Sequence, residues 1–138
     1  MPNSIIKQAQ YSVHWIHQLI HRVFTDQRGD GAACIEQLLP LFAEDFQMVT
    51  TGGALVGRAQ VEQLFRGALG TRAGLEIIVS DLHCLWQEGH SAAIRYKETH
   101  CLNQSQTSRL SLAIIRVQDD AVQWLYLHET ALSQETPA

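Results

Sequence analysis

Charge is scarce in this chain. Only 17% of its 138 residues are charged, against roughly a quarter in an average soluble domain, and this suggests that part of the surface is covered by a partner subunit. Basic residues are scarcer still: 10 Lys and Arg stand against 14 Asp and Glu, a formal charge of −4. Binding nucleic acid needs clustered Lys and Arg, so that class is set aside. Cys34, Cys84 and Cys101 are the three cysteines, with no CxxC spacing. An odd, unpaired set fits free thiols in a reducing cytoplasm rather than a disulfide framework. No apolar run approaches the roughly 18–20 residues of a membrane span, and the N-terminus lacks a charged start followed by a long apolar core, so no signal peptide is expected. GxGxxG, Walker-type and GxSxG patterns are all missing, and with them the mechanical parts of nucleotide binding and serine hydrolysis. What the chain does have is 46% hydrophobic residues, which excludes disorder and suffices for one domain with a real core.

Hydrophobic spacing changes period once along the chain. Ser4 to Asp26 reads as an amphipathic helix, with Ile5, Ala9, Ile16, Leu19, Ile20, Val23 and Phe24 on one stripe. The run Gln27 to Gly31 ends it. A second helix spans Ala32 to Leu39, limited by Pro40, and a helical turn at Leu41 and Phe42 follows. Short strands are expected at Phe46–Thr50 and Ala54–Val56, with a third helix at Arg58–Leu69. From Leu75 onward the period is 2, giving strands at Leu75–Gln87, Ala92–Leu102, Thr107–Gln118 and Val122–Leu132, and a frayed tail from Ser133. The whole is one α+β domain over residues 1–138, with its core at about 5–132. Four strands this long must form a strongly curved, mostly antiparallel sheet, closed into a cone by the helices.

Three stretches carry a family resemblance: Leu41-Phe42-Ala43-Glu44-Asp45-Phe46, Gly57 to Phe65 (GRAQVEQLF), and Trp124 to Thr130 (WLYLHET). They resemble the nuclear transport factor 2-like superfamily, closest to its SnoaL-like and calmodulin-kinase association-domain-like small proteins. The resemblance implies a cone-shaped, cystatin-like fold that commonly pairs through its sheet. It leaves activity open, since steroid isomerases, dehydratases, polyketide cyclases and assembly domains all share this frame.

Hairpin arithmetic indicates which side chains meet. With a two-residue turn at Gln104-Ser105, Glu98 faces Ser111 and His100 faces Arg109. With one at Asp119-Asp120, Ser111 lies beside His128 and Ala113 beside Tyr126. A turn near Gly89 sets Asp81 and His83 beside Glu98 and Tyr96. One face then carries Asp81, His83, Tyr96, Glu98, His100, Arg109, Ser111, Trp124, Tyr126 and His128, a mixture suited to a ligand pocket. The other carries Ile78, Leu82, Trp86, Leu110, Leu112, Ile114, Leu125 and Leu127, an aliphatic surface suited to pairing with a second copy. A slip of one residue exchanges the faces.

Glu98 is the leading acid–base candidate, because an apolar cone raises a carboxyl's pKa; His128 is its candidate partner. Asp81 and His83 share a strand face, and the resemblance implies the Asp–His dyad of the dehydratase members. Tyr96 and Tyr126 supply hydroxyls for an oxyanion. Asp45 matches a recurrent acid of the family, and Arg58 at a helix start is a candidate anion or subunit contact. His14, His17 and His21 are read as projecting opposite the Ile16/Leu19/Val23 stripe, toward solvent, so no metal and no cofactor are expected. The leading expectation is a dimeric binder of a small hydrophobic or aromatic molecule. The alternatives are a proton-transfer enzyme resembling ketosteroid isomerases, dehydratases or polyketide cyclases, and an assembly module without substrate.

Overall fold

The computed structural model describes residues 2–26 and 28–133; Gln27 and the tail expected to fray beyond Ser133 lie outside the described residues. Helix α1 runs Pro2–Phe24, α2 Gly31–Leu38 and α3 Arg58–Ala68; the strands are β1 Phe42–Val49, β2 Leu55–Gly57, β3 Glu76–Glu88, β4 Ser91–Leu102, β5 Ser105–Gln118 and β6 Ala121–Ala131. All six strands form one sheet in the order β2-β1-β6-β5-β4-β3. β1 runs parallel to β6 and every other pair is antiparallel. The expected helical turn at Leu41 and Phe42 gives way earlier: Leu39–Leu41 is a 3₁₀ turn, and Phe42 already opens β1. Pro40 explains this, because it lacks the amide that would continue α2.

α1 is laid across the concave side of the sheet. Ala9, Val13, Ile16, Leu19 and Val23 bury completely there, against Ala92, Ile94 and Tyr96 of β4, Ala113 and Ile115 of β5 and Trp124 of β6. The end of α3 docks on the end of α1 through backbone bonds: Gly70 N–H donates to Val23 O at 2.9 Å and Arg72 N–H to Phe24 O at 2.9 Å. Gly70 has φ +68°, and a Cβ there would lie 2.8 Å from Asp26 O, so only glycine fits this approach. The contact delivers Arg72 to the open end of the cone.

Register is where sequence and structure part. The β4–β5 turn is Asn103-Gln104, both with positive φ, not Gln104-Ser105. Glu98 therefore faces Arg109 and Tyr96 faces Ser111; a slip of two leaves each strand's faces unchanged. The β5–β6 turn is Asp119-Asp120 as expected, and Ile115 pairs with Trp124, but the next pair is Ile114 with Tyr126. Leu125 is the extra residue of a β-bulge. Beyond it the faces of β6 exchange: Leu127 and Glu129 point into the cone, and Tyr126 and His128 point out. β3 carries two such irregularities, between Ser80 and His83 and between Cys84 and Trp86. The first contains Asp81, whose φ is +58°; the second turns His83 outward, opposite Arg95, and brings Leu82 onto the core.

The aliphatic outer face is thus composed differently from the expected one. Leu110, Leu112 and Ile114 lie on it, with cross-strand neighbours Lys97, Arg95, His128 and Tyr126. Leu127 is buried on the inner side and Leu125 packs against the core, both because of the bulge.

Candidate functional site

Inside the cone is a cavity of about 340 Å³. Ile16, His17, Ile20 and Phe24 of α1 form its roof, Leu64, Phe65 and Ala68 of α3 one side, and Phe42, Met48, Trp124 and Leu127 another. Its polar end is built by Tyr96, Glu98 and His100 of β4, Arg109 of β5 and Glu129 of β6, with Thr71 and Arg72 in the loop after α3.

Glu98 is the centre of that end. Its two carboxylate oxygens go to different imidazoles: Oε1 to His17 Nε2 at 3.0 Å and Oε2 to His100 Nε2 at 2.5 Å. Each of the three side chains is buried. His17 Nδ1 lies 2.7 Å from Val13 O, and a carbonyl only accepts, so Nδ1 carries a proton. With Glu98 ionised, Nε2 donates too, and His17 is an imidazolium. Burial alone would push the Glu98 carboxyl up, as the sequence reading anticipated. Here the hydrogen bonds from His100 and His17, with the charges of His17 and Arg109, outweigh burial and hold it far below the usual carboxylate range. His17 is the mirror case. Burial pulls its pKa down, but the Glu98 hydrogen bond and charge, with the Val13 bond, leave it above 6.5.

Glu129 has a different environment. Burial and the nearby Glu98 charge push its carboxyl above the ordinary 4.5, against the opposing pull of Arg109, His17 and Ser111. Its own contacts are long: Arg109 Nη1 at 3.5 Å and the Ser111 hydroxyl at 3.4 Å. Two carboxyls in one cavity are therefore pushed in opposite directions, Glu98 toward its anion and Glu129 toward its protonated form. Tyr96 is fully buried, its ring 5.3 Å from that of His17 in an edge contact. Burial, then the charges of Glu98 and Glu129, push its phenol well above 10, so it stays a donor. Its hydroxyl and His100 Nδ1 have no hydrogen-bond partner among the described residues.

Of the expected pocket residues, Tyr96, Glu98, His100, Arg109 and Trp124 line the cavity, and Ser111 is buried beside Glu129. Asp81, His83, Tyr126 and His128 do not reach it. Asp81 and His83 are exposed on β3, and Tyr126 Oη bonds His128 Nδ1 at 2.9 Å on the outer face. Asp45 is exposed on β1, and Arg58 Nη2 donates to Leu39 O at 2.8 Å, tying α3 to the end of α2.

Two site residues escaped the sequence reading. His17 was expected in solvent with His14 and His21. At about 100° per residue it lies only about 20° round the helix from Phe24, so it is the margin of the apolar stripe rather than its opposite. His14 is exposed, while His21 Nε2 bonds Leu75 O at 2.7 Å; among the described residues no group of three His, Cys, Asp or Glu is placed to hold a metal ion. Glu129 was hidden by the β6 bulge.

No protein-family model matches the chain, and no curated protein does. Solved structures do. An NTF2-like protein of unknown function from Pseudomonas aeruginosa is 29% identical, with TM-score 0.83 over 91% of this chain and 99% of that one. A proposed dehydratase from the NTF2-like family of Streptomyces avermitilis superposes with TM-score 0.69 at 16% identity, over 97% and 100% of the two chains. A proposed calcium/calmodulin-dependent protein kinase type II association domain from Thiobacillus denitrificans gives 0.64 at 15% identity, over 86% and 93%. The element order, the curved six-stranded sheet and these likenesses give the chain an NTF2-like α+β fold.

Proposed function

We propose that the chain binds a small, largely apolar organic molecule in the cone. The observation that carries this reading is the cavity itself: about 340 Å³, within the usual range of small-molecule sites, apolar on three sides and polar at one end. Buried polar groups normally satisfy one another. Here the Tyr96 hydroxyl and His100 Nδ1 are left over, as expected of a site whose ligand completes it. The test is ligand-observed NMR with a panel of small apolar probes on the native protein and on Ala68→Trp, which fills the cavity from α3. Binding to the native protein and its loss in the variant is the expected result; no binding to either, or equal binding to both, overturns the reading.

A second reading, proton transfer on the bound molecule, is favoured by the opposed carboxyls. In it Glu129 carries the exchanging proton, Glu98 holds His17 and His100 in place, and Tyr96 donates to a developing oxyanion. The likeness to the proposed dehydratase is compatible with this but supplies no residue-level support.

We also propose that the outer sheet face pairs with a second copy of the chain. Ile78, Trp86 and Leu110 are exposed there by 48%, 48% and 39%, large apolar side chains of the kind partners cover. Sedimentation velocity should show a species of twice 15.5 kDa that reverts to monomer in Leu110→Glu; a monomeric native protein contradicts the pairing.

A further inference from the structure

Arg109 points to what kind of molecule the cavity takes. A guanidinium presents five N–H donors in a fixed fork, and one that leaves bulk water normally finds acceptors for them. The Arg109 side chain is 26% exposed, yet its sole partner among the described residues is Glu129 at 3.5 Å, beyond a good hydrogen bond. The neighbouring Glu98 carboxylate is spent on His17 and His100. The fork therefore stands at the polar end of an apolar cavity with its donors almost unused. A second guanidinium waits at the open end: Arg72 lies 5.5 Å over the Phe24 ring and makes no ion pair among the described residues. Charge inside the cavity has the same sense. His17 and Glu98 cancel as an ion pair, which leaves Arg109 and Arg72 against Glu129 alone. An anion entering here meets net positive charge, and a planar carboxylate matches the Arg109 fork in bidentate fashion.

We propose that the ligand is a small apolar monocarboxylate, its carboxylate received by Arg109 and its body by Phe24, Phe42, Met48 and Phe65. The proposal rests on the small-molecule reading above and adds the charge of the ligand to it. Glu129 becomes the competitor. When ionised it draws on Arg109; when protonated it releases the fork and can itself donate to the arriving carboxylate. The groups facing Glu129 are Arg109 and Ser111 from β5, Glu98 and Tyr96 from β4, and His17 from α1. Of these His17 titrates in the same direction, since its loss of charge on the alkaline side also disfavours an anion.

The test is isothermal titration calorimetry with phenylacetate and its uncharged isostere phenylacetamide, on the native protein and three variants. Phenylacetate should bind at least about tenfold more tightly than the amide. Arg109→Gln should remove that preference and Arg109→Lys retain part of it. Glu129→Gln should tighten phenylacetate binding by about threefold or more and reduce its weakening as pH rises above the ordinary carboxyl value of 4.5, with His17 accounting for the remainder above 6.5. The last variant keeps the question open to refutation if the Arg109 changes disturb folding. Equal binding of acid and amide, or an unchanged preference in a folded Arg109→Gln, overturns the carboxylate assignment and leaves the small-molecule reading standing. Failure of both compounds, together with the whole apolar panel, overturns the small-molecule reading itself.

Discussion

Glu98→Ala should lower the free energy of unfolding by about 3–5 kcal/mol, the usual cost of removing one partner from a buried ion pair. The alanine strands two imidazoles at once. His17 Nε2 and His100 Nε2 both lose their acceptor in a site where all three side chains are buried, and His17 can no longer be held as an imidazolium. Glu98→Gln is a sharper comparison. Its amide oxygen accepts from His100 Nε2–H, and its amide NH₂ donates to His17 Nε2, which becomes an acceptor once His17 is neutral with its proton on Nδ1 toward Val13. The glutamine thus satisfies the same geometry without charge, and should cost less than half as much as the alanine. Urea unfolding followed by tryptophan fluorescence measures both; equal losses in the two variants would mean that charge, not hydrogen bonding, holds the cluster.

The same pair gives stability a pH optimum. Glu98, depressed in the folded state, contributes stability that is complete above its ordinary 4.5 and is lost as pH falls toward its folded value. His17, raised in the folded state, contributes stability that is complete below its ordinary 6.5 and is lost as pH rises through the folded value. Glu129 is raised as well, so its contribution is present below 4.5 and lost as pH rises through its folded value. Glu98 and His17 alone place the greatest stability between about 4.5 and 6.5; the Glu129 loss begins above 4.5 and moves the optimum to the acidic end of that window, with a decline on the alkaline side. In Glu98→Gln His17 loses its ion-pair partner and Glu129 loses the neighbouring anion that helps to raise it, so the alkaline decline should flatten.

Much of this site was legible before any coordinates, and the missing part has a definite cause. Alternation alone placed Tyr96, Glu98 and His100 on one face of β4, because that strand is regular and pairs without interruption with β5. Even the misplaced turn at Gln104-Ser105 did no harm, since an error of two residues preserves a period of two. One extra residue does the opposite. Nothing in Trp124-Leu125-Tyr126 announces a bulge, as none of the three is glycine and the apolar run continues through it, yet Leu125 reverses everything after it. That single residue exchanged His128 for Glu129 in the cavity and Tyr126 for Leu127. On β3 the two irregularities together restore the original parity only beyond Ser80, so Asp81 and His83, lying within and between them, were the residues most exposed to the error. His17 is a different failure: the helix arithmetic sufficed, but its apolar stripe was drawn too narrow.

Trp124 shows what the bulge protects. It is the last residue of β6 before the slip, pairs with Ile115, and is 1% exposed. Its ring meets Phe42 and Tyr96 edge-on, at 6.4 and 6.3 Å between centroids, while its Nε1–H donates to Ser12 Oγ on α1 at 3.0 Å. One side chain thus ties the helix to the sheet and forms a wall of the cavity. Trp124→Ala should cost about 3–5 kcal/mol, the range for emptying an aromatic site in a core. Trp124→Phe should cost only about 1–2 kcal/mol, because the donor leaves with the indole and the Ser12 hydroxyl keeps its own bond to Ala9 O at 2.6 Å. Chemical denaturation of the two variants separates packing from hydrogen bonding at this position. Losses below about 1 kcal/mol in both would show that α1 is held to the sheet without Trp124. A folded phenylalanine variant that still binds the apolar probes would confine the indole's importance to the helix–sheet seam.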